Sequence, residues 1–118
     1  MGRLGLLVFV SPVQHRAPDT AVAIADAAVG AGHAVSLFLL ADGVYLASRA
    51  LLNAPEETAV HRLSRLAGRA EVVTCATCAR FRGLRDEDLF PGARNGTLED
   101  LVDLLNSSDR FLAFTGET

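Results

Sequence analysis

The sequence contains no lysine and no tryptophan, and its 118 residues include only two cysteines, one methionine and one tyrosine. The absence of lysine excludes Schiff-base chemistry on a lysine and the phosphate-binding lysine of a Walker motif. It has no run of about 18 apolar residues, so no membrane span is predicted. It also lacks a G-x-S-x-G elbow, an H-E-x-x-H pair, a glycine-rich phosphate loop and a dinucleotide fingerprint, so none of those reaction classes finds support.

The overall composition indicates a single domain covering residues 1–118, since half of the residues are hydrophobic and the length suits one core. The net charge of −3 argues against a surface that binds nucleic acid directly. The first thirteen residues imitate a signal peptide weakly, but their β-propensity and the lack of a small-residue cleavage site favour a first strand. The sequence therefore predicts a cytoplasmic protein, whose thiols stay mostly reduced.

Short apolar runs alternate with helical patterns along the chain. Strands are predicted at residues 4–10, 35–40, 71–74 and 110–114. Helices are predicted to begin at a cap at residue 19 or 20, at residue 44, at residue 55, at residue 75 and after residue 97. The polar stretch at residues 84–96 is predicted to be irregular. Strands that alternate with helices form parallel crossover units, so we predict an α/β fold with three layers: a mostly parallel sheet with helices on both faces.

In a sheet of this kind, the working site lies at the carboxyl ends of the strands. Three segments should meet there: the loop at residues 11–19, the turn at residues 41–44 and the start of the cysteine segment. The fold prediction therefore brings the only two cysteines to the expected site.

Cys75 and Cys78 lie in the segment AEVVTCATCARFRG, where a β-branched run gives way to a helical pattern. A thiol at a helix start meets unpaired backbone N–H groups, which favour a thiolate, and Arg80, Arg82 and Arg85 would act in the same direction. Cys75 is the candidate catalytic thiol. Cys78 follows at a C-x-x-C spacing and is the second candidate, because it could resolve a species formed on Cys75. Packing of both cysteines as small apolar residues remains the alternative.

Four further residues are candidates for substrate binding: His15 in the first loop, Asp42 and Tyr45 in the second, and Arg82 after the cysteines. Each also has a structural explanation, as a solvated loop residue, a helix cap, a packed ring or part of a solvated charged face. Tetrahedral zinc needs about four ligands, and the three histidines are scattered with no second C-x-x-C. The sequence therefore predicts no metal site and no cofactor.

Three segments, GHAVSLFLLADGVYLA, VVTCATCARFRGL and NGTLEDLVDLLNSSDRFLAF, resemble the DsrE/DsrF-like family, which includes the TusD sulfur-relay subunits. The resemblance covers nearly the whole chain and implies a small α/β domain that assembles into trimers or hexamers. In TusD-like members the sulfur-carrying cysteine follows the third strand and precedes the glycine of an Arg-Gly pair by eight residues. Here that cysteine is Cys75, and the pair is Arg82 and Gly83. Cys78 departs from the simplest TusD pattern.

The resemblance implies a sulfur carrier, or a sulfurtransferase-like protein, that holds a persulfide on Cys75. Its partners would be a sulfur donor protein and an acceptor protein, within a homo-oligomer or a mixed complex with related subunits, and away from the membrane. Two other functions stay open. The chain could be a non-catalytic oligomeric scaffold or small-ligand-binding module with structural cysteines, or a redox switch in which Cys75 and Cys78 form a reversible disulfide.

Overall fold

A parallel sheet organises the computed structural model, which describes residues 2–115. Its five strands follow the spatial order β4-β3-β2-β1-β5, and every neighbouring pair is parallel. The central strands are short runs of leucine, valine and phenylalanine, as expected for strands covered on both faces. The strands are β1 (Arg3–Val8), β2 (Ala34–Leu39), β3 (Glu71–Cys75), β4 (Ala93–Gly96) and β5 (Arg110–Phe114).

The helices lie on both faces of this sheet, which confirms the predicted three-layer α/β architecture. From β1 to β4 the chain moves stepwise in one direction, and it then returns past β1 to place β5. Because such crossovers are right-handed, reversing the direction moves the connecting helix to the opposite face. The α-helices are α1 (Ala17–Gly30), α2 (Ala59–Leu66), α3 (Ala76–Phe81) and α4 (Leu98–Ser107), and the 3₁₀ segments are Ala41–Ala47, Arg49–Asn53 and Asp86–Asp88.

The two faces are covered unequally. On one face the sheet buries residues such as Leu37 against α1 and α2, where Val22 and Leu63 are fully buried. On the other face a smaller cluster, which includes Phe38 and Cys75, packs against α4. Full burial of one such side chain contributes about 1.5–3 kcal/mol, so the first face supplies most of the hydrophobic stabilisation. No residue of α4, which the structure describes completely, is fully buried.

The helix starts follow from local capping chemistry. The predicted Thr97 cap is confirmed: its backbone N–H donates to Asp100 Oδ2 at 2.8 Å, and the Thr97 side chain completes a capping box. The helix start predicted at residue 55 is wrong, because Thr58 caps α2 and this helix begins at Ala59, four residues later. The predicted cap of the first helix is also late. That helix begins at Ala17, with Pro18 in its first turn, where a missing N–H costs no hydrogen bond.

The sequence predicts an irregular stretch at residues 84–96, but the structure shows that part of it is regular. Its last four residues form β4, which pairs with β3 at the edge of the sheet and sets Gly96 opposite Cys75. The residues Arg94, Asn95 and Gly96 have little β-propensity, so backbone pairing with a neighbour that is distant in sequence makes this strand. Within residues 2–115, the structure contains no helix that is long and apolar enough to cross a membrane.

Candidate functional site

Cys75 joins a strand to a helix. It is the last residue of β3 and the N-cap of α3, and its Sγ accepts a hydrogen bond from the backbone N–H of Cys78 at 3.5 Å. The register with β4 leaves only a hydrogen at Gly96 opposite this position. A Cβ at Gly96 would lie 2.6 Å from Val73 Cγ1, so the glycine permits the close approach of the two strands. The side chain of Cys75 is 5 % exposed.

Cys78 lies within the first turn of α3 and is partly buried. Burial is the main cause that raises the pKa of its thiol, and a hydrogen bond with the Cys75 thiol raises the pKa further. The backbone N–H of Ala41 and the positive charge of Arg82 act in the opposite direction. Since the net shift is upward, Cys78 is almost entirely a neutral thiol at pH 7.

The turn after β2 forms the second wall of the site. Ala41 has φ +52°, a left-handed conformation that costs a non-glycine residue roughly 1–2 kcal/mol. The next residue, Asp42, accepts a hydrogen bond at 2.7 Å from Arg82 Nε, and Arg82 Nη1 donates to the carbonyl oxygen of Cys78 at 3.0 Å. Arg82 therefore ties the end of α3 to the turn that contains Ala41, whose backbone N–H lowers the pKa of Cys78.

The structure brings most of the predicted site residues together. Asp42 and Arg82 form an ion pair beside Cys78, and Tyr45 contributes to the electrostatic surroundings of Arg82. The hydrogen bond from Arg82 to Asp42 is the main cause that raises the pKa of the guanidinium. His15 lies elsewhere: it is exposed in the loop after β1 and does not line the cysteine cleft.

Both cysteines line an open cleft of about 560 Å³. Leu40 and Leu98 give it apolar walls, and Arg80 supplies the charged side chain at its border. Within the part of the chain that the structure describes, no three His, Cys, Asp or Glu side chains are grouped so that they could hold a metal ion. The cleft thus offers two sulfur atoms, apolar surface and positive charge. The residues that line it are Leu40, Cys75, Ala76, Thr77, Cys78, Arg80, Gly96, Thr97 and Leu98.

Sequence reasoning missed three contributors to this site. Gly96 and Leu98 reach the cleft only because β4 forms, and the polar stretch before them gave no strand signal. Ala41 supplies a backbone N–H, which no side-chain motif reveals, and alanine is an uncommon residue at a positive φ. The one available signal was the convergence of strand ends, which placed residues 41–44 beside the cysteine segment.

Comparison with known proteins assigns the chain to a family. The sequence profile of the DsrE/DsrF-like family matches residues 3–114. An uncharacterised protein of Methanocaldococcus jannaschii is 29 % identical over 110 residues, covering 92 % of this chain and 96 % of that protein. A protein of Allochromatium vinosum with the provisional name sulfurtransferase DsrE is 30 % identical over 129 residues, covering 95 % of this chain and 98 % of its own.

Solved structures support the same fold. The crystal structure of the ychN protein from E. coli superposes with a TM-score of 0.87 at 24 % identity, covering 97 % of this chain and all of that one. A protein of unknown function from Methanobacterium thermoautotrophicum gives a TM-score of 0.74 at 12 % identity, covering 95 % and 99 % of the two chains. At these identities the likeness shows the fold alone. The sequence matches show more: this chain belongs to the DsrE/DsrF-like family.

Proposed function

We propose that the protein is a sulfur carrier that holds sulfane sulfur as a persulfide on Cys75. The observation that carries the proposal is the position of Cys75 as the cap of α3, with its Sγ receiving the Cys78 N–H and facing a cleft. The Allochromatium vinosum relative, whose provisional name is sulfurtransferase DsrE, supports this choice among the reactions open to a cysteine. Fold alone would not, because one fold serves many functions.

The proposed loading step is a thiolate exchange. The Cys75 thiolate attacks the outer sulfur of a donor persulfide, the donor's sulfur–sulfur bond breaks, and the donor leaves as a thiolate. An N–H directed at Sγ stabilises negative charge on that atom, and Arg80 adds positive charge at the border of the cleft. Unloading to an acceptor thiol repeats the exchange in the opposite direction, so neither step needs a metal or a general base.

A sulfur carrier requires partner proteins, namely a donor and an acceptor. The cleft is open to solvent, and Phe81, 82 % exposed at the end of α3, offers an apolar contact close to it. A large exposed apolar side chain beside a reactive site suits a transient protein contact. We place this exchange in the cytoplasm, where free thiols persist.

The proposal also includes self-assembly, as a trimer, a hexamer or a mixed complex with related subunits. Leu98, Val102 and Leu105 are 57 %, 52 % and 46 % exposed on α4, and their spacing puts them on one side of that helix. A second copy that packs against these three side chains would bury them and would cover the outer side of α4. Light scattering should give a multiple of the mass of one chain, and Val102→Asp should reduce it. A monomer at all accessible concentrations contradicts the assembly.

Persulfide loading tests the central claim. Incubation with glutathione persulfide, removal of the donor and intact mass measurement should show a gain of about 32 Da on the wild type and on the matched Cys78→Ser variant. Cys75→Ser should show no gain. Circular dichroism of each variant establishes that it is folded. If Cys75→Ser takes up the same sulfur, or if no variant loads and native Cys75 resists alkylation, the carrier function is wrong and the scaffold alternative replaces it.

A further inference from the structure

Cys75 and Cys78 line the same cleft, and the backbone N–H of Cys78 contacts Cys75 Sγ with an N–S distance of 3.5 Å. We propose that Cys78 discharges a Cys75 persulfide within the same chain, releasing hydrosulfide and leaving a Cys75–Cys78 disulfide. This second route by which sulfur leaves the protein rests on the proposed function of Cys75 as the carrier. It gives the protein a further activity, the conversion of protein-bound sulfane sulfur to inorganic sulfide.

The geometry selects the atom that Cys78 would attack. The inner sulfur of a Cys75 persulfide is Sγ of Cys75 itself, which lies 3.5 Å from the Cys78 backbone nitrogen and borders the same cleft as Cys78. The outer sulfur has room only in the cleft, because Cys75 is 5 % exposed and packed on its other sides. Because the first turn of α3 holds Cys78 against Cys75 Sγ through this backbone contact, attack falls on the inner sulfur and expels the outer one into the cleft.

The step balances without a further reagent. The Cys78 thiolate forms a sulfur–sulfur bond to Sγ of Cys75, and the bond from that atom to the outer sulfur breaks. The outer sulfur takes the bonding pair and leaves as HS⁻. The two protein sulfurs lose two electrons in forming the disulfide, and the sulfane sulfur gains the same two in becoming sulfide. A thiol reductant returns the disulfide to the dithiol in a separate exchange step.

Protonation of Cys78 controls the rate of this discharge. The thiol is neutral at pH 7 because burial opposes its ionisation, so the attacking thiolate is on the order of 1 % of the population or less. The persulfide thus survives long enough to meet an acceptor, and discharge accelerates as pH rises. From β4 only Gly96, which has no charge, reaches this part of the cleft. The charged or titratable groups around Cys78 are Cys75 from β3, Arg80 and Arg82 from α3, and Asp42 and Tyr45 from the Ala41–Ala47 segment.

The experiment follows loaded protein over time. Wild type and Cys78→Ser are loaded at pH 7 with glutathione persulfide, freed of donor and held at pH 7 and pH 8 without reductant. Wild type should lose about 34 Da, from persulfide plus thiol to disulfide, with one equivalent of sulfide released, and about tenfold faster at pH 8. Cys78→Ser should keep its added sulfur at both pH values. Cys78→Ala, which lacks any hydroxyl, should behave like Cys78→Ser.

The outcomes distinguish failure of the discharge reaction from failure of the proposed carrier function. Wild type that keeps sulfur on Cys75 as long as Cys78→Ser does would overturn the discharge and leave the carrier function intact. Fragment masses that place the added 32 Da on Cys78, without sulfide release, would also overturn it, because attack would then fall on the outer sulfur. Failure of both proteins to load at Cys75 appears before any discharge is measured, and it removes the carrier function and this proposal together.

Discussion

Replacing Gly43 with alanine should destabilise the protein, because this glycine lets the turn after β2 lie directly against β1. A Cβ at position 43 would overlap the carbonyl oxygen of Val8 and lie 2.8 Å from the Val8 carbonyl carbon. The same oxygen accepts a hydrogen bond from Leu40 N–H at 3.0 Å, and Gly43 N–H donates to the Leu40 carbonyl at 2.9 Å. Relief of the overlap requires movement of backbone, since no flexible side chain is involved.

The expected magnitude follows from these contacts. Moving the segment weakens two backbone hydrogen bonds, each with a net value of about 1 kcal/mol, and overpacking adds about 1–3 kcal/mol. The free energy of unfolding should therefore fall by about 3–5 kcal/mol, a large part of the typical 5–15 kcal/mol of a native domain. With a urea dependence of about 1–3 kcal/mol per molar, the unfolding midpoint should fall by roughly 2 M.

Gly30→Ala is the matched control. Gly30 is the last residue of α1, has no positive φ, and a Cβ there would meet nothing within 4 Å. Alanine should raise stability slightly, by about 0.4–1 kcal/mol, because it restricts the unfolded chain. A Gly43→Ala protein whose urea midpoint matches that of the wild type would refute the reasoning, since the close approach of this segment to β1 would then carry no steric cost.

Two further predictions concern charge. Arg82→Gln removes the guanidinium that lowers the pKa of Cys78, so alkylation of Cys78, located by fragment mass, should need a higher pH. The matched control is Arg62→Gln, which breaks an Arg–Asp ion pair with Asp19 outside the cleft and should leave the alkylation profile unchanged. An unshifted Arg82→Gln profile counts against the assignment. Asp100 has a pKa below its usual range, chiefly because its carboxylate accepts the Thr97 N–H. The stabilisation by Asp100 is present above its unfolded pKa near 4 and is lost as the pH falls through its lower folded pKa. In chemical denaturation, Asp100→Asn should therefore unfold more easily than wild type at pH 7, and this difference should shrink as the pH falls below about 4.

Much of the fold could be predicted because its signals are local. The apolar runs that became β2 and β3 are short, and each is bounded by glycine, polar residues or the start of a helix. The junction at Cys75 was predictable for the same reason: a β-branched run ends where a helical pattern begins. β4 was not predictable, because Arg94, Asn95 and Gly96 are residue types with little β-propensity, and pairing with β3 orders them.

The site likewise has features that the sequence predicts and features that depend on the tertiary structure. Asp42 and Arg82 were both expected near the cysteines, since the carboxyl ends of parallel strands meet at one edge of the sheet. That they bind each other, across 40 residues of sequence, depends on side-chain positions that a single sequence does not specify. The direction of the Ala41 N–H depends on a positive φ that alanine seldom adopts, so the residue type argues against the conformation that the structure shows.

The capping role of Cys75 makes its sulfur observable from the backbone. α3 has only six residues, and the hydrogen bond from the Cys78 amide to Sγ satisfies one of the donors at its start. Each chemical form of the sulfur, whether thiol, thiolate, persulfide or disulfide, accepts this hydrogen bond differently. The Cys78 amide is therefore a built-in reporter, and its chemical shift and hydrogen exchange rate would follow the loading state of the protein without any attached label.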